Sequence, residues 1–202
     1  MSPFSPPHIL PASPPLHELE PGFKLVRFYD PVRGPWDRQR SYGPLPGMRF
    51  DHHSPPLAPS PDRSVWYAAT SLLGGVAEAF GNQGFLDKES GRRVCIASLR
   101  LSVPVLDLVG VAARVFNLDQ RIGTDQDYSI CQEWARAFYD RYTGIQGIRW
   151  RGRQAGTICV VLNDRVEMDL LKLVADVEID HPDVWARIAR AARRARLRIT
   201  AP

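Results

Sequence analysis

The chain has 202 residues, 44% of them apolar and 24% charged, with a formal net charge of +4 at pH 7. That length supports one domain with a real core, and no apolar run approaches the roughly 20 residues a membrane-spanning helix needs. Cys95, Cys131 and Cys159 lie far apart in apolar segments, so they read as reduced core residues without a disulfide framework.

Residues 1–22 carry seven prolines, no basic start and no apolar centre, so they are not a secretory signal. They read as a Pro-rich extended arm without a fold of its own, and the protein is expected in the cytoplasm. Phe23 to Asp30 is the first strand, and Arg27 interrupts its apolar run. Pro31 to Pro46 is a long loop rich in proline, glycine and charge; loops of that length inside a domain are often functional. Met48-Arg49-Phe50-Asp51 follows, then a second proline-rich loop from His52 to Pro61.

Ser64 to Ala69 reads as a short buried strand containing Tyr67, after which Thr70 or Ser71 caps a helix. On that helix Leu72, Leu73, Val76, Ala77 and Phe80 share one side, and Ser71, Gly74, Gly75 and Glu78 share the other. Each glycine costs about 1 kcal/mol relative to alanine inside a helix. A face of one serine, two glycines and one carboxylate therefore predicts a close approach to the backbone, with Gly74 and Gly75 as the floor of a cleft.

Val94 to Val103 is a strand ended by Pro104, Val105 to Leu108 a further short strand, and Val109 to Phe116 a short helix. Ser129 to Tyr142 is a strong helix with Ile130, Trp134, Phe138 and Tyr142 spaced by four, and Gly144 stops it. Ser129 with Gln132 matches a capping box. Ile145 to Trp150 and Thr157 to Leu162 are strands joined by the basic loop Arg151 to Gly156, and Val174 to Ile179 is the last strand. Pro182 opens a terminal helix, and residues 181–202 hold six arginines against the single acid Asp183. Strands outnumber long helices in an irregular order, which is an α+β pattern. Neither a dinucleotide fingerprint nor a phosphate-binding GxxxxGK loop is present.

Metal binding has little support, since His52 and His53 are adjacent and no cysteine or glutamate stands at ligand spacing. A Ser–His–Asp hydrolase lacks its nucleophile elbow. The arginine-rich terminal helix is either a solvated face or a surface for nucleic acid or an acidic partner. What remains is a set of polar residues in apolar segments: Arg27, Arg49, Tyr67, Glu78 and Ser129. Two arginines can hold a pyrophosphate bidentately, a tyrosine can stack on a heterocycle, and a helix N-terminus attracts anions. A carboxylate can stabilise an oxocarbenium-like centre, as in glycosyl transfer.

From Phe23 to Glu178 the chain resembles the RES domain family, the toxins of RES–Xre toxin–antitoxin pairs. The resemblance rests on Leu25-Val-Arg27, Arg49-Phe-Asp51, Val65-Trp-Tyr67-Ala-Ala, Ala77-Glu78 and Tyr128-Ser129-Ile-Cys-Gln132. It implies a compact α+β fold similar to ADP-ribosyltransferase toxins, with a central split β-sheet flanked by helices. On that reading residues 23–180 form the NAD-binding catalytic domain, between the arm of residues 1–22 and the basic helix of residues 181–202. NAD would be the substrate, and its nicotinamide–ribose bond would be cleaved by phosphorolysis or hydrolysis. ADP-ribosylation of a protein is the enzymatic alternative, and a binding module built on the arginine helix is the non-enzymatic one. Arg27 and Arg49 would hold the NAD phosphates, Tyr67 would pack on nicotinamide or its ribose, Glu78 would stabilise the cation, and Ser129 would orient ribose or phosphate. Neither a metal nor a membrane is implied. The implied partners are NAD, inorganic phosphate as an acceptor, and an Xre-like antitoxin through which any DNA contact would be made.

Overall fold

A computed structural model describes residues 6, 9–110, 115–118, 120–123, 127–153 and 155–200. Its frame is an eight-stranded sheet in the order β1-β8-β9-β10-β5-β2-β7-β11, antiparallel except where β8 runs parallel to β9. The strands are β1 (Leu16–Leu19), β2 (Lys24–Tyr29), β5 (Val65–Ala69), β7 (Arg93–Leu99), β8 (Val103–Asp107), β9 (Gly147–Arg151), β10 (Ile158–Asn163) and β11 (Leu171–Glu178). Two small pairs lie outside it: β3 (Tyr42–Gly43) with β4 (Ala58–Pro59), and β6 (Phe85–Asp87) with β12 (Arg198–Thr200). Three α-helices, α1 (Leu72–Phe80), α2 (Tyr128–Arg141) and α3 (Pro182–Arg194), and three single-turn 3-10 helices, Pro31–Arg33, Gln120–Gly123 and Met168–Leu170, are described beside the strands.

Alternation along the strands sorts the core. Val65, Ala69, Ile148, Trp150, Cys159 and Val161 face α2, where Trp134, Phe138 and Tyr142 form the stripe expected from their spacing. Val26, Phe28, Val94 and Ile96 face α1, which is in turn covered by Ile188, Ala191 and Ala192 of α3. Leu25, Trp66, Ala68, Val160 and Leu162 occupy the opposite sheet face. The helices therefore share one face, with α1 and α3 over one half of the sheet and α2 over the other.

The two halves are barely joined. β2 and β5 share a single registered pair, Val26 with Ala69, and beyond it they diverge. The long loop after β2 takes the vacated edge: Arg40 exchanges two backbone hydrogen bonds with Val65, and Trp36 accepts from the indole of Trp66. The sheet is continuous but opens at its centre.

Several local expectations change. The proline-rich arm, expected to be extended and without a fold of its own, is packed on the domain: Leu16–Leu19 pairs with β8 and Leu10 is buried in the α2 core. Pro104 does not end a strand; the turn falls at residues 100–102 and Pro104 lies inside β8 opposite Glu18. Ser129 does not cap α2. Asp127 is the N-cap and accepts from both the amide and the hydroxyl of Ser129, while the Gln132 amide reaches away to the carbonyls of Leu45 and Met48. The short helix expected over residues 109–116 falls largely on residues 111–114, outside the described residues.

Candidate active site

A cavity of about 540 Å³ opens where β2 and β5 part, and Arg27, Arg49, Tyr67 and Glu78 all line it. That size suits a small-molecule site. Arg27 comes from β2 just past the last registered pair, so its side chain crosses the splay; its guanidinium lies 5.2 Å from the Trp66 ring and donates to the Arg38 carbonyl at 3.2 Å. Burial pulls its pKa down to about 10, which leaves it cationic at neutral pH.

Arg49 is buried. It donates to the Ile122 carbonyl at 3.0 Å and its guanidinium stacks 4.4 Å from the Tyr128 ring, so α2 fixes its direction. The segment carrying it is anchored by Asp51, a fully buried carboxylate that accepts from Arg40 at 2.8 Å, from the Leu45 amide at 3.0 Å and from the His53 ring at 2.5 Å. Burial alone would raise the Asp51 pKa, but the His53 hydrogen bond and the Arg40 charge outweigh it and hold the carboxyl well below its usual range.

Tyr67 lies edge-on to Trp150 and its hydroxyl donates to the Arg49 carbonyl at 2.8 Å. Burial pushes its phenol well above the ordinary value, so it stays protonated and serves as a donor.

Glu78 projects from α1 into the cavity, where solvent reaches it. The surrounding protein raises its carboxyl pKa by desolvation, and Arg49, a hydrogen bond with the Cys159 thiol and Arg153 oppose that rise. Gly152 closes the space behind it, since a Cβ there would run into the Glu78 carboxylate and approach the Cys159 sulfur to 2.9 Å.

The glycines of α1 have a different role from the cleft floor expected of them. A Cβ at Gly74 would run into the Thr157 and Ala69 side chains, and one at Gly75 would come within 3.0 Å of the Phe28 ring. What approaches the helix backbone so closely is the protein's own sheet, and this close seating is what carries Glu78 up to the gap between β2 and β5. Gly75 touches the cavity edge; Gly74 does not line it. Ser129 is exposed and likewise lies outside the lining, where α2 contributes Tyr128 instead.

Seven arginines line the cavity (27, 33, 38, 40, 49, 92 and 153) against two acids, Asp30 and Glu78. A ligand there should be anionic over most of its length, with a cationic or electron-poor part at Glu78. Sequence reading missed Arg38, Arg153, Tyr128, Trp150 and Cys159. The long charged loop from Pro31 to Pro46 is the signal for Arg38, the Tyr128-Ser129 motif for Tyr128, and the basic loop from Arg151 to Gly156 for Arg153; none of them shows that these side chains meet Glu78.

A family model described as the RES domain matches residues 24–189. The chain belongs to the RES domain family. No curated protein matches this RES domain significantly. In fold it is similar to a chain in the crystal structure of the M. tuberculosis MbcT-MbcA toxin-antitoxin complex, with a TM-score of 0.58 and 17% identity over 85% of this chain and 92% of that one.

Proposed function

We propose that this RES domain is the toxin of a toxin–antitoxin pair and that it cleaves the nicotinamide–ribose bond of NAD, on an ADP-ribosyltransferase-like scaffold. The observation that carries the reading is the Glu78 carboxylate facing a cavity lined by seven arginines, with Asp30 the one other acid and Tyr67 and Trp150 forming an aromatic wall. NAD has the matching polarity: a dianionic pyrophosphate in its middle and a cationic ring at one end. Arg27 and Arg49 would hold the pyrophosphate, each as a guanidinium fixed by protein contacts before the substrate arrives.

The ribose C1′–nitrogen bond breaks heterolytically, and its electron pair neutralises the nicotinamide ring. The leaving group needs no proton, which fits a cavity lined by no histidine. Positive charge then moves to the ribose, where the Glu78 carboxylate stabilises it. Water or inorganic phosphate closes the step by adding its oxygen to C1′, with loss of a proton in the case of water. Its partner would be an Xre-like antitoxin; an antitoxin is supported by the fold similarity to one chain of a toxin–antitoxin complex, and the Xre type rests on the family resemblance alone.

Purified protein is incubated with NAD in buffer with and without phosphate, and free nicotinamide is followed by chromatography. Release in either buffer, lost in Glu78→Gln with the fold intact, is the expected result. Folded wild-type protein that releases none in both buffers would sink the proposal.

A further inference from the structure

The arginines of the C-terminal element are absent from the cavity lining, so they need a separate account. Arg187, Arg190, Arg193 and Arg194 of α3, with Arg196 and Arg198 beyond it, are all exposed, and among the described residues none forms an ion pair. At 100° per residue the four helical arginines fall within one arc of about 120°. The centre of that arc lies opposite Ile188 and Ala192, which are packed in the core against α1. Over the seven steps from Arg187 to Arg194 the row is about 10 Å long, and two further exposed arginines follow it, Arg196 in the turn and Arg198 at the start of β12. Like charges held this close repel one another, so the array is at its most favourable with an anionic partner seated across it.

Three kinds of partner present such charge, and the neighbouring side chains separate them. Peripheral membrane helices insert an apolar face among the acyl chains. Here that face is spent on α1, and none of the large exposed apolar side chains lies between residues 181 and 200. Protein interfaces centre on buried aromatic or aliphatic anchors. The outward arc offers none, since Ala186 is the apolar residue among its arginines and Trp185 is turned toward Lys88 at 5.4 Å. A surface of guanidinium groups without anchors suits a regular polyanion that is read through its phosphates. Every cation of this row is arginine, whose planar fork binds phosphate oxygens bidentately.

We propose that the arginine face of α3 and β12 is a docking surface for the sugar–phosphate backbone of double-stranded DNA, independent of sequence and of the NAD cavity. This departs from the expectation that DNA contact is made only through an antitoxin.

The test uses the full chain and a fluorescent 24-base-pair duplex of arbitrary sequence, with binding followed by anisotropy from 25 to 250 mM salt. Micromolar binding is expected, with a log–log salt slope of about −3 to −4 if three or four arginines reach phosphates at once. The variant R187Q/R190Q/R194Q should lose at least tenfold in affinity. The control R100Q/R141Q/K172Q removes the same net charge from other exposed positions and should bind within twofold of wild type. These side chains are exposed, so both variants should keep the wild-type melting temperature. Equal losses in the two variants, no duplex binding at 25 mM salt, or tighter binding to polyglutamate than to the duplex would each overturn the proposal.

Discussion

The hydroxyl of Tyr67 is spent on the backbone carbonyl of Arg49 at 2.8 Å, so the residue expected to meet the substrate also fastens the loop that carries the second arginine. Tyr67→Phe keeps the ring against Trp150 and removes only that clamp. A lost hydrogen bond of this kind costs about 1 kcal/mol of stability. If NAD is the substrate, the greater effect should be on KM, because Arg49 contributes binding of the pyrophosphate. KM is expected to rise several-fold with kcat nearly unchanged. A fall in kcat at constant KM would instead place the hydroxyl in the bond-breaking step.

The acid limb of the activity profile should belong to Glu78. Protonated, this side chain cannot stabilise a ribosyl cation, so kcat/KM falls as pH drops through its pKa in the free enzyme. Desolvation sets that pKa above the ordinary 4.5, while Arg49 and Arg153 pull it back. Removing a cation disfavours the carboxylate, so Arg153→Gln should move the limb to still higher pH and leave activity at pH 8 less affected than at pH 5. The measurement is kcat/KM between pH 4 and 9 for both proteins. An unmoved limb would show that Arg153 does not act on Glu78.

Much of this geometry was legible as pattern and little of it as contact. The spacing of Trp134, Phe138 and Tyr142 is enough to give α2 its buried stripe, because a helix and a flat core admit one solution. Gly74 and Gly75 signalled a close approach, but a sequence cannot say whether a ligand or the protein itself does the approaching; Phe28 and Thr157 do. The cap of α2 was misassigned by two residues, since Asp127 and Ser129 both suit an N-cap and tertiary contacts decide between them. Arg153 and Cys159 reach Glu78 from the β9–β10 hairpin, about 75 to 80 positions away in the chain, and no local pattern encodes that pairing.

Gly152 offers a test of the Glu78 position that leaves the carboxylate chemically intact. Its φ lies outside the left-handed region, so alanine meets no backbone strain there, only the Glu78 carboxylate and the Cys159 sulfur. Gly152→Ala should push the carboxylate out of place. Turnover is expected to drop at least 100-fold, since misplacement of a catalytic group by about 1 Å can cost that much. The melting temperature should change by only a few degrees. Near-normal turnover in a folded Gly152→Ala protein would mean that the carboxylate has latitude this geometry does not allow.

Asp51 supports the cavity from below, and its contribution should show in stability and in pH dependence. Asp51→Asn keeps the shape but leaves Arg40 without its carboxylate and the His53 ring without a charged acceptor. Losing charge-assisted hydrogen bonds in a buried site costs about 2–3 kcal/mol, or a fall of roughly 4–12 °C in melting temperature for a chain of this size. The sign of the pH effect follows from the depressed folded-state pKa. The unfolded chain takes up the proton near pH 4 while the folded one still resists, so the contribution is complete above that value and is lost as pH falls below it. Asp164, lowered to about 2 because hydrogen bonds from His52 and Tyr139 outweigh burial, adds a similar slope in both proteins. The wild-type minus Asp51→Asn difference in unfolding free energy therefore isolates Asp51. It should be constant from pH 7 to about 5 and shrink steadily toward pH 2. A difference that stays flat through that range would mean the Asn variant is destabilised by packing alone.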